Sequence, residues 1–265
     1  MSATDRSRLD GRTVVVTGGA GFLGRQWCRA LLDAGATVVS LDVVDDERTE
    51  PRLRSERVDI TDAAAVADLD RRLASDGLVV DVLVNNAALD APVTATGLAN
   101  AERFETFPLE RWEQEFAVGL TGAFLCSRTF GPAMAERGAG AIVNVASDLA
   151  LVGPDQGLYR VEGVADEHQP VKPVTYSVIK TGMIGLTRYL ATYWGDRGVR
   201  VNALCLGGVE RAQDPEFLER IATRIPLGRM ARPGEYGEAM VFLCSDASSY
   251  MTGSTLVVDG GRTTW

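Results

Sequence analysis

From Thr13 the chain runs Thr13-Val14-Val15-Val16-Thr17, then Gly18-Gly19-Ala20-Gly21-Phe22-Leu23-Gly24, then an amphipathic stretch through Trp27, Leu31 and Leu32. An unbroken run of β-branched residues reads as a strand buried on both faces of a parallel sheet. Glycine at 18, 21 and 24 lets the backbone turn sharply where that strand ends, and the helix that follows presents its positive end to the turn. Backbone N–H groups gathered there suit a pyrophosphate. Strand, glycine turn and helix in that order mark the start of an α/β nucleotide-binding fold.

The next apolar run, Thr37-Val38-Val39-Ser40-Leu41, ends at Asp42, eighteen residues after Gly24. A carboxylate there can accept both ribose hydroxyls of an adenosine and repels a 2′-phosphate. Neither Gly19 nor Val43 offers a positive charge, so NAD is favoured over NADP. Val58-Asp59-Ile60-Thr61-Asp62 reads as a third short strand, with Thr61 or Asp62 capping a helix that carries Val66, Leu69 and Leu73. Val82-Leu83-Val84 is a fourth strand that runs into Asn85-Asn86-Ala87-Ala88. A later one, Ala141-Ile142-Val143-Asn144-Val145-Ala146, delivers the Ser147 hydroxyl to the carboxyl edge of the sheet, where such folds bind ligands.

Tyr176-Ser177-Val178-Ile179-Lys180 puts a phenol and an ammonium on one side of a helix. A free tyrosine, with a pKa of about 10, needs a value roughly two to three units lower to act as a base near neutrality. One positive charge about 4 Å away, at an effective dielectric near 20, supplies roughly that much. Taken alone, the pair is more often the chance spacing of a helix.

A chain of 265 residues suits a single large α/β domain, here residues 12–265 behind a polar, flexible tail over 1–11. Its 27 Lys+Arg against 36 Asp+Glu leave a net charge of -9, which disfavours nucleic acid and anionic membranes as partners. Cys28, Cys126, Cys205 and Cys244 each sit in an apolar stretch and read as buried thiols of a reducing compartment, and no apolar run is long enough to span a membrane. A cytoplasmic protein is expected. From Val174 to Trp194 the helix has apolar residues on several faces, more than one sheet can cover, which points to packing against a second copy with Gly182 and Gly185 allowing close approach.

Together, Thr17-Gly18 with its turn, Asp59-Ile60, Asn85-Asn86-Ala87-Ala88, Ser147 and Tyr176…Lys180 resemble the short-chain dehydrogenase/reductase family. So do Arg200-Val201-Asn202-Ala203, Pro226-Leu227-Gly228-Arg229, Ser245–Tyr250 and Asp259-Gly260-Gly261. The resemblance implies a Rossmann-type doubly wound sheet of seven parallel strands in three α/β/α layers, and an NAD-dependent oxidoreductase that forms dimers or tetramers. It also implies cofactor contacts at Gly18, Gly21, Phe22, Leu23, Asn86, Ala88, Gly207 and Val209, with Asp59 and Ile60 holding the adenine. Tyr176 would be the general acid/base, Lys180 would bind the nicotinamide ribose and lower the tyrosine pKa, and Ser147 would bond the substrate oxygen.

Four features depart from the family pattern. Phe22 replaces a glycine, as in the larger epimerase and dehydratase branch; Gly119 replaces an asparagine that helps hold a water behind the lysine; Leu206 replaces a proline before Gly207. The fourth is length: 28 residues lie between Ser147 and Tyr176, including an insert at about 153–173 that must border the active site. Its Tyr159, Arg160, Glu162, Lys172 and prolines suit a lid over a polar or anionic small molecule, and its lone His168 has no partner with which to ligate a metal. With Arg188–Asp196 and Gln213–Phe217, the insert also resembles enzymes of bacterial surface-glycan and flagellin-sugar modification. The expected substrate is therefore a secondary alcohol or ketone of a sugar or polyol. A 3-oxoacyl or carbonyl reductase, a sugar epimerase or dehydratase, and a weakly active NAD-binding regulator are the alternatives.

Overall fold

The computed structural model describes residues 6–89 and 103–265, and between them only the backbone of residues 93–94 and 97–98. β1 (Thr13–Thr17) is buried at every position. After it come α1 (Phe22–Asp33), β2 (Thr37–Asp42), β3 (Leu53–Arg57), α2 (Ala63–Ser75) and β4 (Val80–Asn85). A two-stranded hairpin, β5 (Val93–Thr94) with β6 (Gly97–Leu98), stands apart from the main sheet. Then follow α3 (Leu109–Phe116), one π turn (Ala117–Thr121), α4 (Gly122–Arg137), β7 (Gly140–Ser147), α5 (Val174–Trp194), β8 (Val199–Leu206), α6 (Pro215–Ala222), α7 (Gly237–Cys244) and β9 (Thr255–Val258).

The seven strands pair in parallel in the order β3-β2-β1-β4-β7-β8-β9. Successive residues of β1 serve opposite layers, as the period of a strand requires. Val14 and Val16 pack with Trp27, Leu31 and Met240 on one face, while Val15 packs with Leu69, Phe130 and Trp194 on the other. The chain leaves β1 in one direction for β2 and β3 and returns to its other side for β4, so the strand order reverses at β1/β4 and opens a crevice at the carboxyl ends.

Two sequence expectations need correction. The third strand is Leu53–Arg57, paired from Val38↔Leu53 to Asp42↔Arg57, and the segment after Val58 is the turn into α2. β3 is a partly exposed edge strand of Leu-Arg-Ser-Glu-Arg, and charges suit an unpaired edge, so no apolar run announces it. The expected tail over 1–11 is also too long. Leu9 is fully buried and donates its N–H to Ala34 O at 2.9 Å, so the packed chain begins before Arg12; residues 1–5 lie outside the described ones. Asp62, rather than Thr61, caps α2, accepting from the N–H groups of Ala64 and Ala65.

In α5, Ile179, Met183, Ile184 and Leu190 are buried within the chain, whereas Val178, Tyr189 and Tyr193 are exposed. Gly182 is closed by its own chain, since a Cβ there would lie 3.0 Å from Leu120 Cδ2, but Gly185 faces open space. All four cysteines are free and buried. Among the described residues no helix is long and apolar enough to cross a membrane.

Candidate active site

A cavity of about 580 Å³ opens at the carboxyl ends of the central strands. The residues given catalytic or cofactor-contact roles in the sequence line it: Gly18, Gly21, Phe22, Leu23, Asp42, Asp59, Ile60, Asn86, Ala88, Ser147, Tyr176, Lys180, Gly207 and Val209. At one end the glycine turn is drawn tight. Gly18 adopts φ +65°, and a Cβ on Gly24 would sit 2.0 Å from Gly18 O, so only glycine lets the first turn of α1 lie this close to the loop. The result is a cradle of backbone N–H groups at a helix N-terminus, fitted to a pyrophosphate.

Side chains brace this cradle from behind. Asn86 donates Nδ2 to Thr17 O at 2.9 Å and to Gly18 O at 3.2 Å, and accepts from Trp27 Nε1 at 2.9 Å. Its amide is therefore spent on holding the turn. Asp42 accepts from Ala20 N at 3.0 Å through one oxygen and from Val43 N at 2.8 Å through the other. Arg48 donates to Gly19 O at 2.9 Å and is paired with the buried Asp46 carboxylate, whose hydrogen bond holds the guanidinium above its ordinary pKa. This cation beneath the loop was not foreseen. Arg48 stands in a charged, irregular segment that gives no sign of folding back under Gly19.

Farther along, Asp59 Oδ1 accepts from Thr61 N and Oγ1 at 2.9 and 2.7 Å. Ile60 presses on Gly122, where a Cβ would lie 2.6 Å from Ile60 Cδ1. The loop after β8, which lacks the expected proline, is fixed by other ties. Gly207 N donates to Val258 O at 3.0 Å, Tyr236 Oη to Gly207 O at 3.0 Å and Gln213 Nε2 to Val209 O at 2.8 Å. From that loop Arg211 stacks on Phe22, 3.9 Å from the ring centroid, and so links the two walls of the cavity.

Ser147 closes β7, and Tyr176 and Lys180 stand in the first turns of α5. Lys180 is buried, donates Nζ to Val145 O at 3.0 Å and lies 5.8 Å from the Tyr176 ring centroid. The departure at Gly119 falls in the π turn, where a Cβ would meet Ile179 Cγ2 at 2.8 Å; Ile179 fills the space beside the glycine. Cys205, under the same floor, is no nucleophile: burial pushes its thiol up to about 11.

The insert packs on α6. Leu158 is buried with Phe217, Ile221, Ile225 and Met230, Tyr159 stacks on Phe217 with centroids 5.8 Å apart, and Asp155 pairs with Arg224 at 3.0 Å. Lys172 at its far end is buried and places Nζ 3.9 Å from the Tyr176 ring centroid. His168 is exposed and takes no part in lining the cavity. Asp148 and Arg262 also line the cavity, joined to each other and to Ser147, and neither carries a sequence signal. Asp148 merely follows a strand, and Arg262 is a solitary charge near the C-terminus. Among the described residues no group of His, Cys, Asp and Glu could hold a metal.

A family model described as enoyl-(acyl carrier protein) reductase matches residues 19–263. D-threitol dehydrogenase of Mycolicibacterium smegmatis is 34% identical over 270 residues, covering 97% of this chain and 94% of its own. Galactitol 2-dehydrogenase (L-tagatose-forming) of Cereibacter sphaeroides is 34% identical over 268 residues, covering 97% of each. Among solved structures, a short-chain dehydrogenase of Leptospira borgpetersenii with bound NAD+ superposes with a TM-score of 0.86 at 28% identity over 99% of this chain and 96% of that one. A gluconate 5-dehydrogenase of Burkholderia cenocepacia, in complex with NADP and tartrate, gives 0.82 at 26% identity over 100% of both chains. None of these four carries a surface-glycan or flagellin assignment.

Proposed function

This chain belongs to the short-chain dehydrogenase/reductase family, and from that premise we propose that it exchanges hydride between NAD and a secondary alcohol or ketone of a sugar or polyol. That it is an oxidoreductase of CH–OH groups with a nicotinamide dinucleotide follows from membership and from its dehydrogenase relatives. The choice of sugar or polyol is our reading. It draws on the threitol and galactitol relatives and on the charged groups Asp148, Lys172 and Arg262 beside Ser147 and Tyr176. The choice of NAD draws on Asp42, a carboxylate at the end of β2. A homo-oligomer in the cytoplasm completes the reading, since all four thiols are free and apolar side chains of α3, α4 and α5 are exposed.

One observation carries the proposal: Ser147, Tyr176 and Lys180 enter the same cavity as the glycine turn. In oxidation Tyr176, as phenolate, takes the proton of the substrate hydroxyl. The buried Lys180 ammonium favours that charged form, because opposite charges attract strongly where water is scarce. Ser147 orients the substrate oxygen through a hydrogen bond, an electrostatic part rather than a nucleophilic one. The dinucleotide supplies the hydride acceptor. Tyr176→Phe removes one hydroxyl and leaves the cavity its shape. Turnover on a panel of polyols should fall by about 10²–10⁴-fold while NAD affinity, by calorimetry, stays within roughly threefold. Turnover close to wild type would refute this assignment.

A further inference from the structure

Ser147 and Asp148 are neighbours in sequence whose side chains touch, with Ser147 Oγ 2.7 Å from Asp148 Oδ1. An ionised carboxylate has no hydrogen to give, so the serine is the donor in this bond. The same Oδ1 accepts from Leu149 N at 2.8 Å, and Oδ2 is paired with Arg262. Arg262 is brought there by the last turn of the chain. The Asp259 carboxylate accepts from Gly261 N and Thr263 N, each at 2.8 Å, and Gly261 takes φ +91°, which turns Arg262 back toward the end of β7. The two side chains are only 4% and 11% exposed, yet both line the cavity.

This arrangement raises a difficulty for the reading above, on which the present inference rests. With its proton committed to Asp148, Ser147 offers the substrate oxygen lone pairs and no donor. The reaction needs that donor, because negative charge gathers on the oxygen as its proton leaves. Turning the serine toward the substrate costs its bond to Asp148, and a donor that takes its place there restores that bond.

We propose that the Asp148–Arg262 pair recognises a second hydroxyl, on the carbon beside the reacting one, and that this hydroxyl frees the Ser147 proton. A hydroxyl both donates and accepts, which matches a carboxylate next to a guanidinium. The carboxylate oxygen lies one hydrogen-bond length from Ser147 Oγ, a separation comparable to that of hydroxyls on adjacent carbons. A vicinal diol bound with one oxygen at Ser147 places the other at Asp148 and Arg262. The second hydroxyl donates to Asp148 Oδ1, and the Ser147 O–H turns to the reacting oxygen. A lone alcohol offers no such donor, so with it the serine turns only at the cost of its bond to Asp148.

The test compares butane-2,3-diol with butan-2-ol in the wild type and in Asp148→Asn. Wild type should favour the diol in kcat/KM by about ten- to a hundredfold, the worth of a hydrogen bond to a charged group. In Asp148→Asn the Arg262 charge draws the amide oxygen and the NH₂ faces Ser147, which releases the serine proton for either substrate, while Leu149 N, losing Oδ1, keeps Ser147 Oγ at 3.2 Å. The preference should collapse by about tenfold or more, with kcat for butan-2-ol rising. The double variant Asp148→Asn/Arg262→Gln carries no unpaired buried charge, and its neutral amide oxygen holds the Ser147 proton less tightly than a carboxylate, so the preference should fall there too, by a smaller factor, with NAD binding by calorimetry as the check on folding. No diol preference in wild type, or a parallel loss on both substrates, overturns the proposal. Failure of wild type to oxidise any alcohol or polyol overturns the dehydrogenase reading itself and this inference with it.

Discussion

Asp42 offers a test of cofactor choice whose two contributions can be separated. Its carboxylate ends β2 at the cavity wall, anchored to Ala20 N at 3.0 Å and Val43 N at 2.8 Å. A 2′-phosphate about 5 Å from it, carrying a charge near -2 in a water-like dielectric of about 80, is repelled by about 1.5 kcal/mol, or roughly tenfold in Kd. The 2′-hydroxyl that NADP lacks, donating to a charged acceptor, favours NAD by a further 1.5–3 kcal/mol or so. Asp42→Asn removes the charge and keeps an acceptor for Ala20 N, so NADP should bind about tenfold tighter and NAD about three- to tenfold weaker. Asp42→Ala should weaken NAD more, about ten- to a hundredfold, because Ala20 N also loses its partner. Calorimetry at low and high salt distinguishes the two contributions, since only the repulsion is screened. Arg48 does not blur the comparison, because its guanidinium is engaged with Asp46 and Gly19 O. Wild-type protein that binds NADP as tightly as NAD, or an Asp42→Asn selectivity shift under about threefold, refutes the reasoning.

Gly24→Ala sets a Cβ 2.0 Å from Gly18 O and 2.7 Å from Gly19 Cα, atoms of the backbone that cannot swing aside. It should cost about 1–3 kcal/mol in thermal or denaturant melts and at least about tenfold in NAD affinity; unchanged affinity counts against a tight pyrophosphate cradle. Burial pushes the Cys126 and Cys244 thiols up to about 12 and Cys205 up to about 11. Stability from these neutral thiols is fully present below the ordinary value of about 8.5 and is lost as pH rises through the folded values, by about 2 kcal/mol per thiol at pH 10. Cys126→Ala should flatten the decline of stability between pH 8 and 10, and equal slopes for wild type and variant would sink the assignment. Val178, Tyr189 and Tyr193 on α5, Phe124 on α4 and Leu109 on α3 are exposed, so light scattering should give a mass two or four times that of the chain. A monomer at micromolar concentration removes the proposed interface.

How much of this was legible depended on whether a signal is local. β1, β2, β4 and β7 carry Val-rich runs because helices cover both their faces, and α2 and α5 carry buried residues at helical spacing. β3 has no such run. It is a strand only because Val38 to Asp42 lie beside it, so its pairing with β2 overrides its own composition. Leu9 is hidden for the same reason: one apolar residue among charges has no period, and its burial comes from the end of α1 folding over it.

The site divides along the same line. Glycine spacing, the acid after β2, the serine closing β7 and the Tyr–Lys pair each lie within one element, and the structure brings all of them to one cavity. Arg48, Arg211, Asp148 and Arg262 acquire meaning only from partners the fold supplies. Asp148 and Arg262 stand 114 residues apart, and each alone reads as an ordinary surface charge. Yet a buried pair of this kind is hard to explain as stabilisation alone, since taking two charges out of water costs several kcal/mol per ion and apolar packing would often serve as well. Its contact with Ser147 gives it a chemical task, and that is why the diol comparison bears on the whole reading. The residues that tell a dehydrogenase from its relatives were the readable ones. Those that we propose choose among its substrates reach the cavity through the final turn of the chain and through Lys172 at the end of the insert, where no repeating pattern marks them.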